Sequence, residues 1–236
     1  IVALLGENGS GKTTLMNIIS GIYYPDSGEI FIDGKKAVIT SPKDAFGYKI
    51  GMIHQHFKLV DVFTAAENIV LGLKDSGKFD MAKVCSRVRE ISTRYGFDID
   101  PEKKIYEMSV SEKQAVEIIK VMYRDAEILI LDEPTAVLTP QETRKLFAVL
   151  KKMREAGKAI IIITHKLNEV MDISDRVAIL RKGEYITTVE TAETNEQALT
   201  EWMVGHKVDL NIDRPTVEKT RPLLEVRDLT IRSDEG

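Results

Sequence analysis

Apolar residues occur along the chain in short continuous runs, a pattern typical of strands buried on both faces of a parallel sheet. These runs are residues 1–5, 128–131, 159–164 and 177–180. Segments with helical spacing lie between several of them, so the chain alternates between strands and helices. This order favours an α/β fold with a mainly parallel sheet.

A hairpin and a helical region depart from this alternation. Residues 30–39 alternate between apolar and polar positions and are broken by Asp33-Gly34, which predicts a peripheral β-hairpin. From about residue 65 to 123 the spacing predicts a helical lobe. Its periodic positions are Met81, Val84, Cys85, Val88, Ile91, Ala115, Ile118, Ile119 and Met122. We expect these side chains to pack in a core.

Both ends of the sequence suggest parts of larger units. Residues 1–5 would form a buried strand with nothing before it, which suggests a truncated domain. Residues 212–221 are polar and contain Pro215, as expected of a linker. Residues 223–231 form a second strand-like run, which we expect to begin another unit or to pair with an exposed sheet edge.

Composition and charge exclude several classes of protein. The 236 residues are 43% hydrophobic and 30% charged, as in a globular protein rather than a disordered or fibrous one. The longest apolar run, residues 159–163, is far shorter than the roughly 20 residues of a membrane-spanning helix. The net charge of −4 provides no basic surplus for nucleic acid. One cysteine, Cys85, cannot form an internal disulfide and fits a reducing, cytosolic compartment.

A glycine-rich loop supplies the strongest chemical signal. Residues 6–13 match the pattern G-x-x-x-x-G-K-[ST] between a predicted strand and a predicted helix. Glycines let backbone N–H groups approach phosphate oxygens, and the helix N-terminus adds positive partial charge. Lys12 would reach the β- and γ-phosphates, and the Thr13 hydroxyl would bind Mg²⁺. The predicted nucleotide site is formed by Gly6, Glu7, Asn8, Gly9, Ser10, Gly11, Lys12, Thr13 and Thr14.

Two carboxylates directly follow the predicted strand at 128–131. Asp132 is the candidate for holding Mg²⁺, through water, and Glu133 is the candidate general base for attack of water on a γ-phosphate. The alternative is a strand that simply ends in solvated acids. The phosphate loop makes that alternative less favourable.

Histidine and glutamine side chains lie near other strand ends, where neither residue type by itself indicates a function. His165 follows the predicted strand at 159–164, and Gln55 follows another strand-like segment. His54 and His56 flank Gln55 and suggest a metal pair, but no third ligand is evident nearby. This disfavours a metal site at the two histidines.

In this order, these elements resemble the nucleotide-binding module of ABC transporters over about residues 1–208. The loop at 6–13 resembles the Walker A motif, and residues 128–133 resemble Walker B with its catalytic glutamate. Gln55 resembles the Q-loop residue, residues 136–139 the D-loop and His165 the switch histidine. The resemblance implies ATP and Mg²⁺ as ligands. It implies catalytic roles for Glu133, His165, Gln55 and Lys12, and metal contacts from Thr13, Gln55 and Asp132.

The resemblance also implies a domain organisation. The ATP-binding core of the P-loop type would be residues 1–64 and 126–208, with a helical signature subdomain at 65–125. A linker would follow at 209–222, and a second ABC module would begin at 223. The N-terminal antiparallel strands of the first module would be missing, together with the aromatic residue that stacks on adenine.

The segment at 108–114 resembles the signature motif, for which the family pattern is Leu-Ser-Gly-Gly-Gln. The resemblance implies that Ser109, Val110, Ser111 and Glu112 contact a nucleotide held by another module. Ser111 stands where a glycine is expected. A side chain there should crowd a phosphate or require a strained backbone, so we expect the composite site that uses this signature to turn over slowly.

Within the family, the chain is most similar to bacterial nucleoside and simple-sugar importers, as judged from Val110, Glu112 and the segments around Gln55 and at 134–142. The two modules of these importers share one polypeptide. This implies membrane permease subunits, a second ABC module and, indirectly, an extracytoplasmic solute-binding protein as partners, without nucleic acid. The chain would lie at the cytoplasmic face of the membrane, held by the permease. Two alternatives stay open: a soluble ABC-type ATPase, and a nucleotide-gated module impaired in hydrolysis. Among soluble ABC-type ATPases, the resemblance disfavours the DNA-repair branch, which inserts a long coiled coil between the Q-loop and the signature, because Gln55 and Ser109 are only 54 positions apart.

Overall fold

A computed structural model describes residues 1–73, 80–207 and 224–230 of the chain. Its core is a six-stranded sheet in the order β4-β5-β6-β1-β7-β8. All neighbours are parallel except β7 and β8, which are antiparallel. The strands are β1 (Val2–Leu5), β2 (Ile30–Ile32), β3 (Lys35–Ala37), β4 (Ile50–Ile53), β5 (Ile128–Asp132), β6 (Ala159–Ile163), β7 (Arg176–Arg181) and β8 (Glu184–Glu190). This confirms the predicted α/β fold with a mainly parallel sheet.

The helices cover the sheet and form the predicted helical region. They are α1 (Lys12–Ile19), α2 (Pro42–Gly47), α3 (Ala65–Val70), α4 (Met81–Tyr95), α5 (Val110–Tyr123), α6 (Pro140–Glu155), α7 (Leu167–Ile173) and α8 (Glu196–Val204). Short 3₁₀ turns occur at Ile105–Glu107 and Thr191–Glu193. Among the described residues, none of these helices combines the length and apolar character needed to cross a bilayer.

Alternate residues of the central strands pack into separate cores on the two faces of the sheet. Leu4, Ile130 and Ile163 pack with Met16 of α1 on one face. Leu5, Leu129 and Ile162 belong to the larger core of the other face. Continuous apolar runs are needed here because both faces of these strands are buried, as the sequence predicted.

The predicted hairpin forms a separate two-stranded sheet of β2 and β3. Both turn residues have positive φ, 50° at Asp33 and 72° at Gly34, which matches a type I′ turn. The predicted apolar helix positions are also mainly buried: Val88 and Ile118 are fully enclosed, and Cys85 is a buried free thiol.

The C-terminal strand prediction is wrong for the residues that can be compared. Residues 224–230 form no strand and pair with no sheet edge, and Leu224 is 82% exposed. A single extended segment without a partner strand leaves its backbone groups unpaired, so alternating apolar residues alone do not produce a strand. The predicted linker at 209–222 lies outside the described residues. The domain boundaries stay a prediction.

Candidate nucleotide site

The glycine-rich loop joins β1 to α1 and depends on glycine at two positions for different reasons. A Cβ atom at Gly6 would lie 2.3 Å from the Leu180 carbonyl oxygen, so only glycine fits there. Gly11 has φ 95° and caps α1 without a side-chain hydrogen bond. The first N–H groups of α1 therefore receive no side-chain cap, which leaves the helix N-terminus available to an anion.

Lys12 folds back over this loop. Its Nζ atom donates to the carbonyl oxygens of Gly6 at 2.7 Å and Glu7 at 2.9 Å, and the residue is only 7% exposed. Burial lowers the pKa of Lys12, while the negative charges of Glu133 and Asp132 act in the opposite direction. The loop therefore holds a buried amine beside two carboxylates.

Asp132 ends β5 and faces α1. Its Oδ2 atom accepts a hydrogen bond from the Thr13 hydroxyl at 3.4 Å. Burial raises the pKa of Asp132, and the neighbouring charge of Glu133 adds to this effect. A hydroxyl and a carboxylate in contact are the hard oxygen donors that Mg²⁺ prefers, so these two side chains fit that ion.

Glu133 lies at the centre of the site. Its Oε2 atom accepts from Gln55 Nε2 at 3.3 Å, and its Oε1 atom is 3.0 Å from His165 Nδ1. Gln55, Glu133 and His165 follow β4, β5 and β6, which are parallel neighbours whose carboxyl ends meet at one edge of the sheet. Side chains that are far apart in the sequence are brought together in this way.

A cavity of about 420 Å³ unites these groups. It is lined by Asn8, Gly9, Ser10, Gly11, Lys12, Thr13, Thr14, Gln55, Asp132, Glu133, Ile163 and His165. Gly6 and Glu7 take part through their carbonyl contacts with Lys12 and are not among the lining residues. The structure therefore assembles the predicted loop, acidic, glutamine and histidine residues around one volume.

The signature segment lies elsewhere. Ser109 caps α5, and its reciprocal hydrogen bonds with Glu112 form a capping box. Ser109, Ser111 and Glu112 line a second cavity of about 550 Å³, which shares no lining residue with the first. Val110 is 39% exposed. Within the described part of one chain, the predicted signature contacts and the glycine-rich loop do not meet.

The predicted backbone strain at Ser111 is wrong. Ser111 lies in the first turn of α5 and is absent from the residues with positive φ. Its hydroxyl lies 3.2 Å from the Ser109 hydroxyl. A helical backbone accepts serine without strain, so only crowding by the side chain remains as a reason for slow turnover.

The histidine pair near Gln55 gains no support as a metal site. Among residues 1–73, 80–207 and 224–230, no group of three His, Cys, Asp or Glu side chains is placed to hold an ion. His54 is half-buried, and burial is the main cause that lowers its pKa. The positive charge of Lys58 lowers the pKa further.

No sequence pattern indicated the contacts that fix the chain after Gln55. The Lys58 backbone N–H donates to Glu117 Oε1 at 2.5 Å, and Lys120 Nζ donates to the Lys58 carbonyl oxygen at 3.1 Å. Glu117 and Lys120 both lie on α5. The helical spacing of Ala115, Ile118, Ile119 and Met122 predicted the opposite, apolar face of α5, and no sequence signal identified Lys58 as a partner of Glu117 and Lys120.

Comparisons with known proteins point to one family. Residues 1–136 match the family model described as ABC transporter. The chain is 45% identical over 238 residues to the nucleoside import ATP-binding protein NupA of Lactococcus lactis subsp. cremoris (strain MG1363), covering all of this chain and 47% of that protein. It is 48% identical over 252 residues to the guanosine import ATP-binding protein NupO of Bacillus subtilis (strain 168), covering all of this chain and 49% of that protein. The chain thus spans about half the length of the curated relatives it matches.

Solved structures share the fold. One is cbiO1 from Clostridium perfringens, described as part of the ABC transporter complex cbiONQ, with a TM-score of 0.70 and 29% identity over 86% of this chain and 80% of that one. The ADP conformation of the ATP-binding cassette MJ1267 has a TM-score of 0.74 over 87% of this chain and 88% of that one. At 23% identity, the second likeness shows the fold alone.

Proposed function

Because the chain belongs to the ABC transporter family, we propose that it binds and hydrolyses ATP to power uptake of nucleosides or simple sugars through a membrane permease. The observation that carries this proposal is the position of Glu133, between Gln55 and His165 and beside the glycine-rich loop. The names of the two relatives support nucleosides as the first class of solute to test.

In this proposal, each group around the cavity has a role in hydrolysis. The N–H groups of the loop and of α1 bind the phosphates, and Lys12 neutralises their charge. Glu133 accepts a proton from the attacking water, the γ-phosphoryl group is transferred to the water oxygen, and ADP leaves. Gln55 and His165 orient the Glu133 carboxylate. Thr13 and Asp132 would hold Mg²⁺, with Gln55 beside them, and the ion when bound supplies further positive charge to the phosphates.

A second ABC module completes the site in this proposal. Ser109, Val110, Ser111 and Glu112 would contact ATP held by that module, since within one chain they lie away from the 420 Å³ cavity. The length of the relatives, about twice that of this chain, supports a second module in the same polypeptide.

A groove of about 220 Å³ between α2, β4 and α5 is the surface that we assign to the permease. Phe46 and Met52 contribute apolar walls, while Lys120 and Arg124 contribute positive charge. His54 also lines the groove and directly precedes Gln55, so a segment bound there would act on the position of Gln55. This contact would hold the chain at the cytoplasmic face of the membrane, with a solute-binding protein acting from the other side.

The test is ATP turnover by the full-length protein, purified from its native membranes with any accompanying membrane protein and assayed in vesicles with the solute-binding protein. Nucleosides and pentoses are added in turn, and uptake of labelled solute is followed alongside phosphate release. Stimulation of both by either class supports the proposal and identifies the cargo. Turnover without a membrane protein, and insensitive to both classes, would favour the soluble ATPase instead.

A further inference from the structure

Glu169 is a buried acid on α7 that the proposed mechanism leaves without a role. It is 7% exposed, and a carboxylate buried to this extent requires hydrogen-bond partners. Its Oε2 atom accepts from the hydroxyls of Thr135 at 2.6 Å and Thr164 at 3.4 Å. Its Oε1 atom lies 3.0 Å from Lys166 Nζ. Both carboxylate oxygens are therefore engaged.

These partners belong to the two loops that carry Glu133 and His165. Thr135 follows Glu133 by two residues, and Thr164 and Lys166 are the immediate neighbours of His165. Lys166 Nζ also donates to the Thr135 carbonyl oxygen at 3.0 Å. Glu169 thus ties the loop after β5 to the loop after β6, next to both residues.

The conformation of Glu133 shows why such a tie is needed. Its φ is 46°, in the left-handed region that residues other than glycine rarely adopt. A residue persists in that region only when its surroundings fix it. The Glu133 N–H donates to the Ile163 carbonyl oxygen at 2.9 Å, which fixes one side of the residue. The bond from Thr135 to Glu169 fixes the chain on the other side.

We propose that Glu169 is a positioning residue for ATP hydrolysis. By holding Thr135, Thr164 and Lys166, it keeps Glu133 in the left-handed conformation and its carboxylate within hydrogen-bond distance of His165. Glu169 does not line the 420 Å³ cavity, so it acts through Glu133 and His165 rather than on the nucleotide. This inference rests on the proposed function, because it concerns the same reaction.

Asp172 provides a matched control on the same helix. Its Oδ1 atom accepts a hydrogen bond from Lys151 Nζ at 3.1 Å, and Lys151 lies on α6. This ion pair joins α7 to α6 and involves neither loop of the site. Asp172→Asn therefore tests whether any weakening of α7 is enough to slow hydrolysis.

Thr135 offers a second pair of variants that does not alter the buried charge. Thr135→Val replaces the hydroxyl by a methyl group and keeps the β-branch, whereas Thr135→Ser keeps the hydroxyl. If Glu169→Gln fails to fold, this pair still tests the bond between Thr135 and Glu169. Rescue by serine separates loss of the hydrogen bond from a change of packing.

The experiment measures kcat and KM for ATP in the full-length protein with its membrane partners. Glu169→Gln and Thr135→Val should each lower kcat by about ten- to hundredfold while KM stays near the wild-type value. Thr135→Ser and Asp172→Asn should retain the wild-type kcat. Combined with Glu133→Gln, Glu169→Gln should cause no further loss, because it acts through Glu133.

If the wild-type protein hydrolyses ATP, three results would overturn the positioning role. The first is a wild-type kcat in Glu169→Gln and Thr135→Val, and the second is a raised KM with unchanged kcat in these variants. The third is an additive loss of kcat when Glu169→Gln is combined with Glu133→Gln. An equal loss in Asp172→Asn would also overturn it, since α7 stability would then be the cause. A wild-type protein without ATP hydrolysis would overturn the proposed function itself, and the positioning role with it.

Discussion

The Nδ1 atom of His165 lies 3.0 Å from the Oε1 atom of Glu133. Because Gln55 donates to the other carboxylate oxygen, the acid is oriented from both sides. A general base must be fixed within hydrogen-bond reach of the proton it removes. This arrangement makes Glu133 the side chain whose replacement should separate ATP binding from ATP hydrolysis.

Glu133→Gln should lower kcat by about a hundredfold or more, since an amide cannot accept the proton from water. ATP binding should persist, because the loop and Lys12 are unchanged. Phosphate release and direct titration with ATP would measure the two properties. Glu155→Gln, at the exposed end of α6, is the control and should keep full turnover. Wild-type turnover in Glu133→Gln would remove Glu133 from the mechanism.

Lys12→Ala should weaken ATP binding by about ten- to hundredfold, the expected loss of a hydrogen bond to a charged group. ATP binds only the folded protein and should raise its melting temperature, so the variant should lose most of that increase. Thermal unfolding with and without MgATP measures the effect. Lys36→Ala, on the exposed strand β3, should leave the increase unchanged. An equal increase in Lys12→Ala would contradict the assignment.

Ser111→Gly should lower the free energy of unfolding by about 0.5 kcal/mol, since glycine is the poorer residue in a helical turn. The reason is that Ser111 has a helical backbone with no positive φ for glycine to relieve. Urea unfolding of this variant beside Ser111→Ala would measure it. A more stable glycine variant would show that the backbone at Ser111 is strained after all.

Turnover separates crowding from strain at the same position. If the Ser111 side chain crowds a phosphate held by another module, Ser111→Gly should hydrolyse ATP faster in the full-length protein, and Ser111→Ala should fall between the two. Steady-state phosphate release at saturating ATP is the measurement. Unaltered turnover in both variants would refute the slow composite site.

His54 should make stability depend on pH. Burial lowers its pKa in the folded protein below the ordinary value of 6.5, so the unfolded chain binds a proton more readily. The contribution of neutral His54 is therefore complete above about pH 6.5 and declines as the pH falls toward the lower, folded pKa. His54→Asn should show a smaller loss of stability between pH 7 and 5 than the wild type. Unfolding at pH 8 gives the cost of the substitution itself, and parallel curves for both proteins would contradict the prediction.

The parts of the fold that the sequence predicted are those whose signal is local. Residues 128–131 and 159–163 are apolar throughout because both sheet faces are covered. The glycine-rich loop has a spacing of glycine, lysine and threonine that is specific to phosphate-binding loops. The edge strand β8 escaped prediction because Thr187 and Thr188 interrupt its apolar character and it pairs on one side only. Its position depends on β7 rather than on its own residues.

The site was less accessible to sequence reasoning where contacts span long distances. Nothing local indicates that Glu133 would adopt φ 46°, since glycine and asparagine are the usual signals of that region. Glu169 belongs to no recognised motif, and its proposed role depends on Thr135, which is 34 residues away. Gln55 and His165 gained meaning only from the family resemblance, and their catalytic roles stay predictions.

The contacts at Lys58 set a limit on the movement of Gln55. Gln55 lies only three positions before Lys58, whose backbone is attached to α5 by Glu117 and Lys120. A chain of three residues extends at most about 11 Å, which limits the distance between Gln55 and Lys58. Lys58 is held by α5, the helix that begins at the signature segment. While these contacts hold, Gln55 can move farther than this distance from Lys58 only if α5 moves as well. We therefore expect a displacement of α5 to shift Gln55, relative to Glu133, and Ser109 together, since both Ser109 and the attachment of Lys58 belong to that helix.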